Sequence, residues 1–261
     1  MPVKWLDCSQ LPFSALLLLE TEQIDWMGDW LPIDDLSVAL AAHPEVAWYL
    51  VHKSPSKRSW IDSLPRPDLS SLAPEQIRQA ELNVLNALND WLTYVVDPQV
   101  YDSQPFLTWD ERELTELVEF AGLRVLDIGA GTGKLTFIAA RSGAEAAWAV
   151  EPVGRLREFI RERARALGCG NIFTVDGLIT RIPFPDGFAD VVMGGHVFGD
   201  QPLEEIAEME RATAKGGMVI LCPGNKDVDN DEHRLLVERG YQWATFEEPE
   251  DGAKRKYFKR L

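Results

Sequence analysis

The sequence predicts an α/β protein: a mostly parallel sheet with helices on both faces, a C-terminal antiparallel hairpin, and a helical N-terminal segment. Three observations predict it. From Asp110 onward short apolar runs alternate with amphipathic stretches, and each run is continuously apolar, as in strands buried on both faces. A glycine-rich turn, Gly129, Gly131 and Gly133, leads from the first run into a helical stretch. Before Asp110 the alternation is missing, and Trp, Pro, Leu and acids dominate residues 1–72.

Each element follows from local signals. The stretch IDDLSVALAAHPEVAWYLVHKSP reads as one or two short helices ended by Pro44 and Pro55, and the proline- and serine-rich residues 63–74 read as a linker. A long amphipathic helix is expected from Pro74 to about Val96, with Ile77, Ala80, Val84, Leu88, Trp91, Leu92 and Val95 on one face and Asp97-Pro98 as its stop. Asp110, with Glu113 three residues on, is expected to cap a helix running to Gly122. Strands are then expected at 124–129, 146–151, 171–176, 189–195 and 217–222. Helices fall between them at 133–142, 154–167 and 202–214, the first two closed by Gly143 and Gly168. Residues 241–248 and 254–261 flank a PEDG turn and predict a hairpin. The expected division is a helical segment or lid at 1–109 and a ligand-binding domain at 110–261.

Composition narrows the function. The 261 residues are 46% hydrophobic and 26% charged, the profile of a globular chain long enough to bury a full core. The net charge of -16 splits into -10 over residues 1–110 and -6 over the remainder. That balance disfavours a nucleic-acid backbone, which is bound through clustered Lys and Arg. Helix 154–167 carries Arg155, Arg157, Arg161, Arg163 and Arg165, but Glu158 and Glu162 interleave with them, so it reads as a solvated face with i,i+4 pairs. Cys8, Cys169 and Cys222 are far apart and odd in number, so no metal site is expected and a reducing, cytoplasmic setting is. The apolar stretch Leu11–Leu19 is broken by Ser14, is too short for a bilayer and lacks a cleavage pattern. Neither a membrane span nor a signal peptide is expected.

The chemistry concentrates in VLDIGAGTGKLT, Val125 to Thr136. Glycines after a buried strand let the backbone turn sharply and let a ligand approach it closely. A phosphate loop is excluded twice, because Gly133-Lys134 is followed by Leu135 and the required upstream glycine is Ile128. A nicotinamide fingerprint breaks at Lys134, where its third glycine belongs. Asp127, two residues before Gly129, suits a ligand bearing an ammonium better than one bearing a pyrophosphate. Glu151 closes the second strand 24 residues after Asp127, and Asp176 closes the third 25 residues after Glu151. A carboxylate at the Glu151 position accepts from ribose hydroxyls, in an NAD site as in other nucleoside sites. Three acids closing three consecutive strands mark the edge where open α/β sheets bind ligands.

VLDIGAGTGKLT resembles motif I of the class I S-adenosylmethionine-dependent methyltransferases, and residues 110–261 follow that family's order of elements on its Rossmann-like sheet. The resemblance implies S-adenosylmethionine as cofactor and S-adenosylhomocysteine as product. It places Asp127 near the amino group of the methionine moiety, with Gly129, Ala130, Gly131 and Gly133 beneath it. It further implies Glu151 with Pro152 at the ribose, Asp176 and Gly177 at the adenine, and Gly194 at the end of the fourth strand. There, in GGHVFGD, the family presents catalytic groups; His196 is either a general base or a packed side chain. Tyr101 matches in position a tyrosine that closes over the cofactor's carboxylate, and an ordinary packed tyrosine fits the sequence equally. The chain lacks the Asn/Asp-Pro-Pro-Tyr tetrad of many amino-group methylating enzymes, which, with the charge, favours a small-molecule acceptor. A cofactor-binding protein without catalysis, an NAD-dependent dehydrogenase and a protein methyltransferase are the alternatives. The sequence leaves the oligomeric state open.

Overall fold

The computed structural model describes residues 4–224 and 226–261. The chain divides into two compact units, Met1–Tyr101 and Asp102–Leu261. The division falls ahead of the 109/110 boundary expected from sequence. Phe106 and Trp109 belong with the second unit, packing against His196 and Phe246.

The first unit is helical: α1 Thr21–Asp25, α2 Ile33–Ala42, α3 Pro44–Lys53, α4 Arg58–Ser63, α5 Pro74–Ala87 and α6 Asn89–Val96, with α7 Pro98–Asp102 at its end. Pro44 separates α2 from α3, since proline donates no N–H and drives the preceding residue out of helical geometry; His43 sits at φ -126°. The single helix expected over 74–96 is instead two. Leu88 leaves helical geometry at φ -101°, ψ 19°, and the reason is Asn89. Its buried amide accepts from the backbone N–H of Trp5 (2.8 Å) and Leu6 (3.0 Å) and donates to Leu6 O (2.7 Å) and Cys8 Sγ (3.1 Å). The apolar face holds across the break: Ala80, Val84, Leu88, Leu92 and Val95 are all buried, as are Leu16, Leu19, Ile24, Leu36 and Leu50 of the same unit.

The second unit opens with a single helical turn, α8 Arg112–Thr115, instead of a helix reaching Gly122. Asp110 accepts from the Arg112 backbone N–H and pairs with its guanidinium, which holds the carboxyl down at about 2. Beyond the turn Leu117, Val118 and Phe120 pack together on the sheet's core, a grouping without helical period. The alternating elements follow: β1 Arg124–Ile128, α9 Lys134–Arg141, β2 Ala146–Val150, α10 Gly154–Leu167, β3 Ile172–Val175, β4 Ala189–Gly195, α11 Pro202–Ala212, β5 Thr213–Cys222, α12 Asp231–Glu238, β6 Gln242–Glu248 and β7 Gly252–Arg260. α12 is not among the expected helices, although Asn230 caps it, Asp231 and Glu232 fill its first turn, and Gly240 follows it.

The strands form one sheet in the order β3-β2-β1-β4-β5-β7-β6. β1 to β5 are parallel; β7 runs antiparallel between β5 and β6, so the expected hairpin completes the sheet. Successive side chains point to opposite faces. Val125, Val191, Met218 and Ile220 therefore join Leu135, Ile138 and Ala139 of α9 on one face. Leu126, Val192, Val219 and Leu221 join Ile206 and Met209 of α11 and Leu236 of α12 on the other. Between β3 and β4 the chain crosses over as a loop that α11 holds. Arg211 donates to Ile182 O and Phe184 O, and Glu208 accepts from Ile182 N–H. The strand order reverses between β1 and β4, and a crevice at such a point, beyond the carboxyl ends of the strands, is where open α/β sheets take ligands.

Candidate active site

Asp127, at the end of β1, is 1% exposed. Its Oδ2 accepts from the backbone N–H (2.8 Å) and the Oγ1 hydroxyl (2.6 Å) of Thr136, fastening the strand end to α9. Its Oδ1 is buried with no hydrogen-bond partner among the described residues, and so is Thr132 Oγ1 in the following loop. Burial pushes the Asp127 carboxyl up to about 7, against the pull of the two Thr136 bonds. A native structure rarely leaves a buried carboxylate oxygen orphaned, and a ligand carrying an ammonium satisfies it.

The loop after Asp127 turns through three left-handed glycines, Gly129 at φ 63°, Gly131 at 55° and Gly133 at 87°. Glu151, at the end of β2 and also buried, braces that loop. Its Oε2 accepts from Gly131 N–H and its Oε1 from Val153 N–H, both at 2.9 Å. Burial raises this carboxyl to about 7 as well; the two backbone bonds and Arg157 oppose the rise, and nearby Asp127 adds to it. Ala130 and Pro152 are buried beside them. Part of the space above the glycines belongs to the chain itself: a Cβ on Gly129 would come within 2.1 Å of Val197 Cγ1, and one on Gly194 within 2.8 Å of Val197 Cγ2. Val197 carried no sequence signal.

Asp176, at the end of β3, is exposed and lies 3.4 Å from Arg157 Nη2. Gly177 beside it is required by packing, since a Cβ there would meet Pro183 Cδ at 2.7 Å and Val150 Cγ1 at 2.8 Å. The arginines of α10 depart from the expected face of i,i+4 pairs. Arg155 pairs with Glu158 at i,i+3, while Arg157, Arg161 and Arg163 reach other elements, at Glu151 O, Thr174 and Asp102.

His196 follows β4 with its backbone in the left-handed region at φ 57°, a conformation that costs about 1–3 kcal/mol and gathers at functional sites. Its N–H donates to Cys222 O (2.7 Å), which fixes the backbone, and Phe106 stands edge-on to the ring at 5.4 Å. The ring's Nε2 lies 2.7 Å from Oε1 of Glu248, which is 2% exposed. Lys254 Nζ, 3.4 Å from the other Glu248 oxygen, donates to Gly224 O (3.0 Å) and pairs with Asp251. Gly224, at φ 77°, admits the imidazole, for a Cβ there would stand 2.4 Å from His196 Nδ1. In the tautomer that carries its proton on Nε2, the ring donates to Glu248 Oε1 and the lone pair falls on Nδ1. Glu248, Lys254 and Gly224 lie far from His196 in sequence, and no motif announces them.

Among the described residues no group of three His, Cys, Asp or Glu could hold a metal ion, and no helix is long and apolar enough to cross a membrane. Tyr101 lies in the N-terminal unit, against Trp5 (5.4 Å) and Tyr94 (4.8 Å).

A glycine loop between an orphaned acid and a braced acid, at the switch point of a 3-2-1-4-5-7-6 sheet, defines a nucleoside-cofactor domain. Residues 125–217 match the family model of the methyltransferase domain. A methyltransferase from Aquifex aeolicus shares the fold, with 18% identity and a TM-score of 0.51 over 63% of this chain and 98% of that one. Two further structures match at lower similarity. One is a putative methyltransferase from Methanococcus maripaludis (16% identity, TM-score 0.43, 59% of this chain and 83% of that one). The other is phosphoethanolamine N-methyltransferase 1 from Haemonchus contortus, in complex with phosphoethanolamine and S-adenosylhomocysteine (17%, 0.47, 62% and 43%). No curated protein matches the chain. Residues 125–217 make up a methyltransferase domain on this Rossmann-like sheet, and S-adenosylmethionine is its cofactor.

Proposed function

We propose that this enzyme methylates a small molecule at a hydroxyl group, with His196 as general base. The observation that carries the reading is the 2.7 Å contact of His196 Nε2 with the buried carboxylate of Glu248. When bound, S-adenosylmethionine would supply a methyl group already activated on a sulfonium, the S–CH3 bonding pair staying with the thioether. His196 takes the hydroxyl proton at Nδ1, and Glu248 holds the ring in register and balances the imidazolium that results. Lys254 and Asp251 complete the charge balance around Glu248.

On the cofactor side, Asp127 Oδ1 receives the ammonium of the methionine moiety over Gly129, Ala130, Gly131 and Gly133. Glu151 with Pro152 serves the ribose, Asp176 with Gly177 the adenine, and Gly194 borders the reacting end. The orphaned oxygen of Asp127 supports the first of these assignments. The helical N-terminal unit acts in the choice of acceptor. The acidic charge of the chain supports a partner other than nucleic acid. Its three free cysteines support a cytoplasmic setting.

The test is release of S-adenosylhomocysteine with panels of hydroxyl, amine, thiol and protein acceptors. Turnover is expected with a hydroxylated small molecule and falls about 10²–10⁴-fold in His196→Ala. Full activity of His196→Ala on that acceptor would refute the base, and turnover confined to proteins would refute the substrate class.

A further inference from the structure

The arginines of α10 are not equivalent. Arg157, in its first turn, bridges the ends of two strands. Nη1 donates to the backbone carbonyl of Glu151 at 2.5 Å, and Nη2 lies 3.4 Å from Oδ2 of Asp176. The arginine side chain is largely buried (17% exposed) while its carboxylate partner is 68% exposed. An exposed ion pair orders its partners weakly when both are free to move. Here one partner is fixed in advance by a bond to the carbonyl of a buried residue, so the ordering falls on Asp176.

We propose that Arg157 is a positioning residue for base selection: by holding Oδ2 of Asp176 it presents Oδ1 to the 6-position of the purine. This inference rests on the assignment of the β2 and β3 ends to the cofactor's nucleoside. A carboxylate held there accepts from the exocyclic amine of adenine. Hypoxanthine offers a carbonyl oxygen at the same position, which cannot donate and is repelled by the carboxylate. Without Arg157 the exposed Asp176 swings into solvent and the repulsion disappears with it, so the site loses discrimination more than affinity. A merely structural arginine, bracing α10 against the sheet, would weaken both ligands together.

The experiment is calorimetric titration of the full-length protein with S-adenosylhomocysteine and with S-inosylhomocysteine. Wild type is expected to prefer the adenine form by about tenfold, the scale of one hydrogen bond to a charged acceptor. Arg157→Met is expected to bring the ratio to about threefold or less, and Arg157→Lys, which keeps a charge but not the two-pronged geometry, to a value between. Asp176→Asn approaches the same loss from the other partner and serves if Arg157→Met does not fold. A wild-type ratio in Arg157→Met, or an equal fall in affinity for both ligands, would overturn the proposal. So would a wild type that binds both ligands equally. Absence of S-adenosylhomocysteine binding to folded wild type would instead overturn the cofactor-site assignment, and the proposal with it.

Discussion

Asp127→Asn separates the cost of the site from its use. The carboxyl rises from 3.8 to about 7 in the folded chain because it is buried. A folded value above the unfolded one means the native state binds the extra proton, so the associated stability is full below the unfolded value and is lost as pH climbs through the folded one. The slope between the two is about 1.4 kcal/mol per pH unit, so the ligand-free protein carries a penalty of about 4 kcal/mol by pH 8. Asparagine keeps an acceptor for Thr136 and removes the titration, at a constant cost for its amide. The stability of Asp127→Asn relative to wild type should therefore improve by about 2–3 kcal/mol between pH 5 and pH 8 and level off above pH 7. Urea unfolding of both proteins across that range measures it; titrations remote from Asp127 cancel in the difference, and the rise that Asp127 imposes on Glu151 is relieved in the variant and adds to the same trend. A difference that stays flat with pH would refute the account of Asp127 as a carboxyl strained by burial.

Two further outcomes follow from the packing. Gly129→Ala forces a side chain into the left-handed region and against Val197, and should destabilise by about 2 kcal/mol or more. Adding Val197→Ala should recover the steric share and leave about 1 kcal/mol of backbone strain, as a double-mutant cycle in urea would reveal. Asn89→Ala leaves the N–H groups of Trp5 and Leu6 without their acceptor and should cost on the order of 3 kcal/mol by thermal unfolding. A loss under about 0.5 kcal/mol, the size of an ordinary surface substitution, would show that Asn89 does not fasten the N-terminal segment.

Local pattern determined most of the architecture. Continuous apolar runs fixed the five parallel strands, and the alternation of side chains within them decided which residues meet which helix. The glycine run and the acids at 127, 151 and 176 stood out because each sits within a few residues of the strand end that positions it. Helix boundaries were less legible where a distant partner intervened. Leu88 breaks the long helix because Asn89 binds residues near the chain's start, and periodicity cannot register a bond of that span. Residues 116–122 leave the helix because Leu117, Val118 and Phe120 find the sheet's core.

Only tertiary structure decided what surrounds the end of β4. Glu248, the last residue of β6, stands against the His196 ring and Gly224 lies beside it, contacts that nothing near His196 in the sequence announces. Lys254, Arg255 and Lys256 are all buried: Lys254 meets Glu248 and Asp251 of its own hairpin, Arg255 meets Asp227 and Asp229, and Lys256 reaches back to Glu113. The physical reason is the same in each case. Secondary structure and strand-end placement arise from interactions over a few residues, which the sequence displays side by side. Hydrogen-bond partners of buried charged groups are chosen by the fold, from whatever residues the sheet order brings within three ångströms or so.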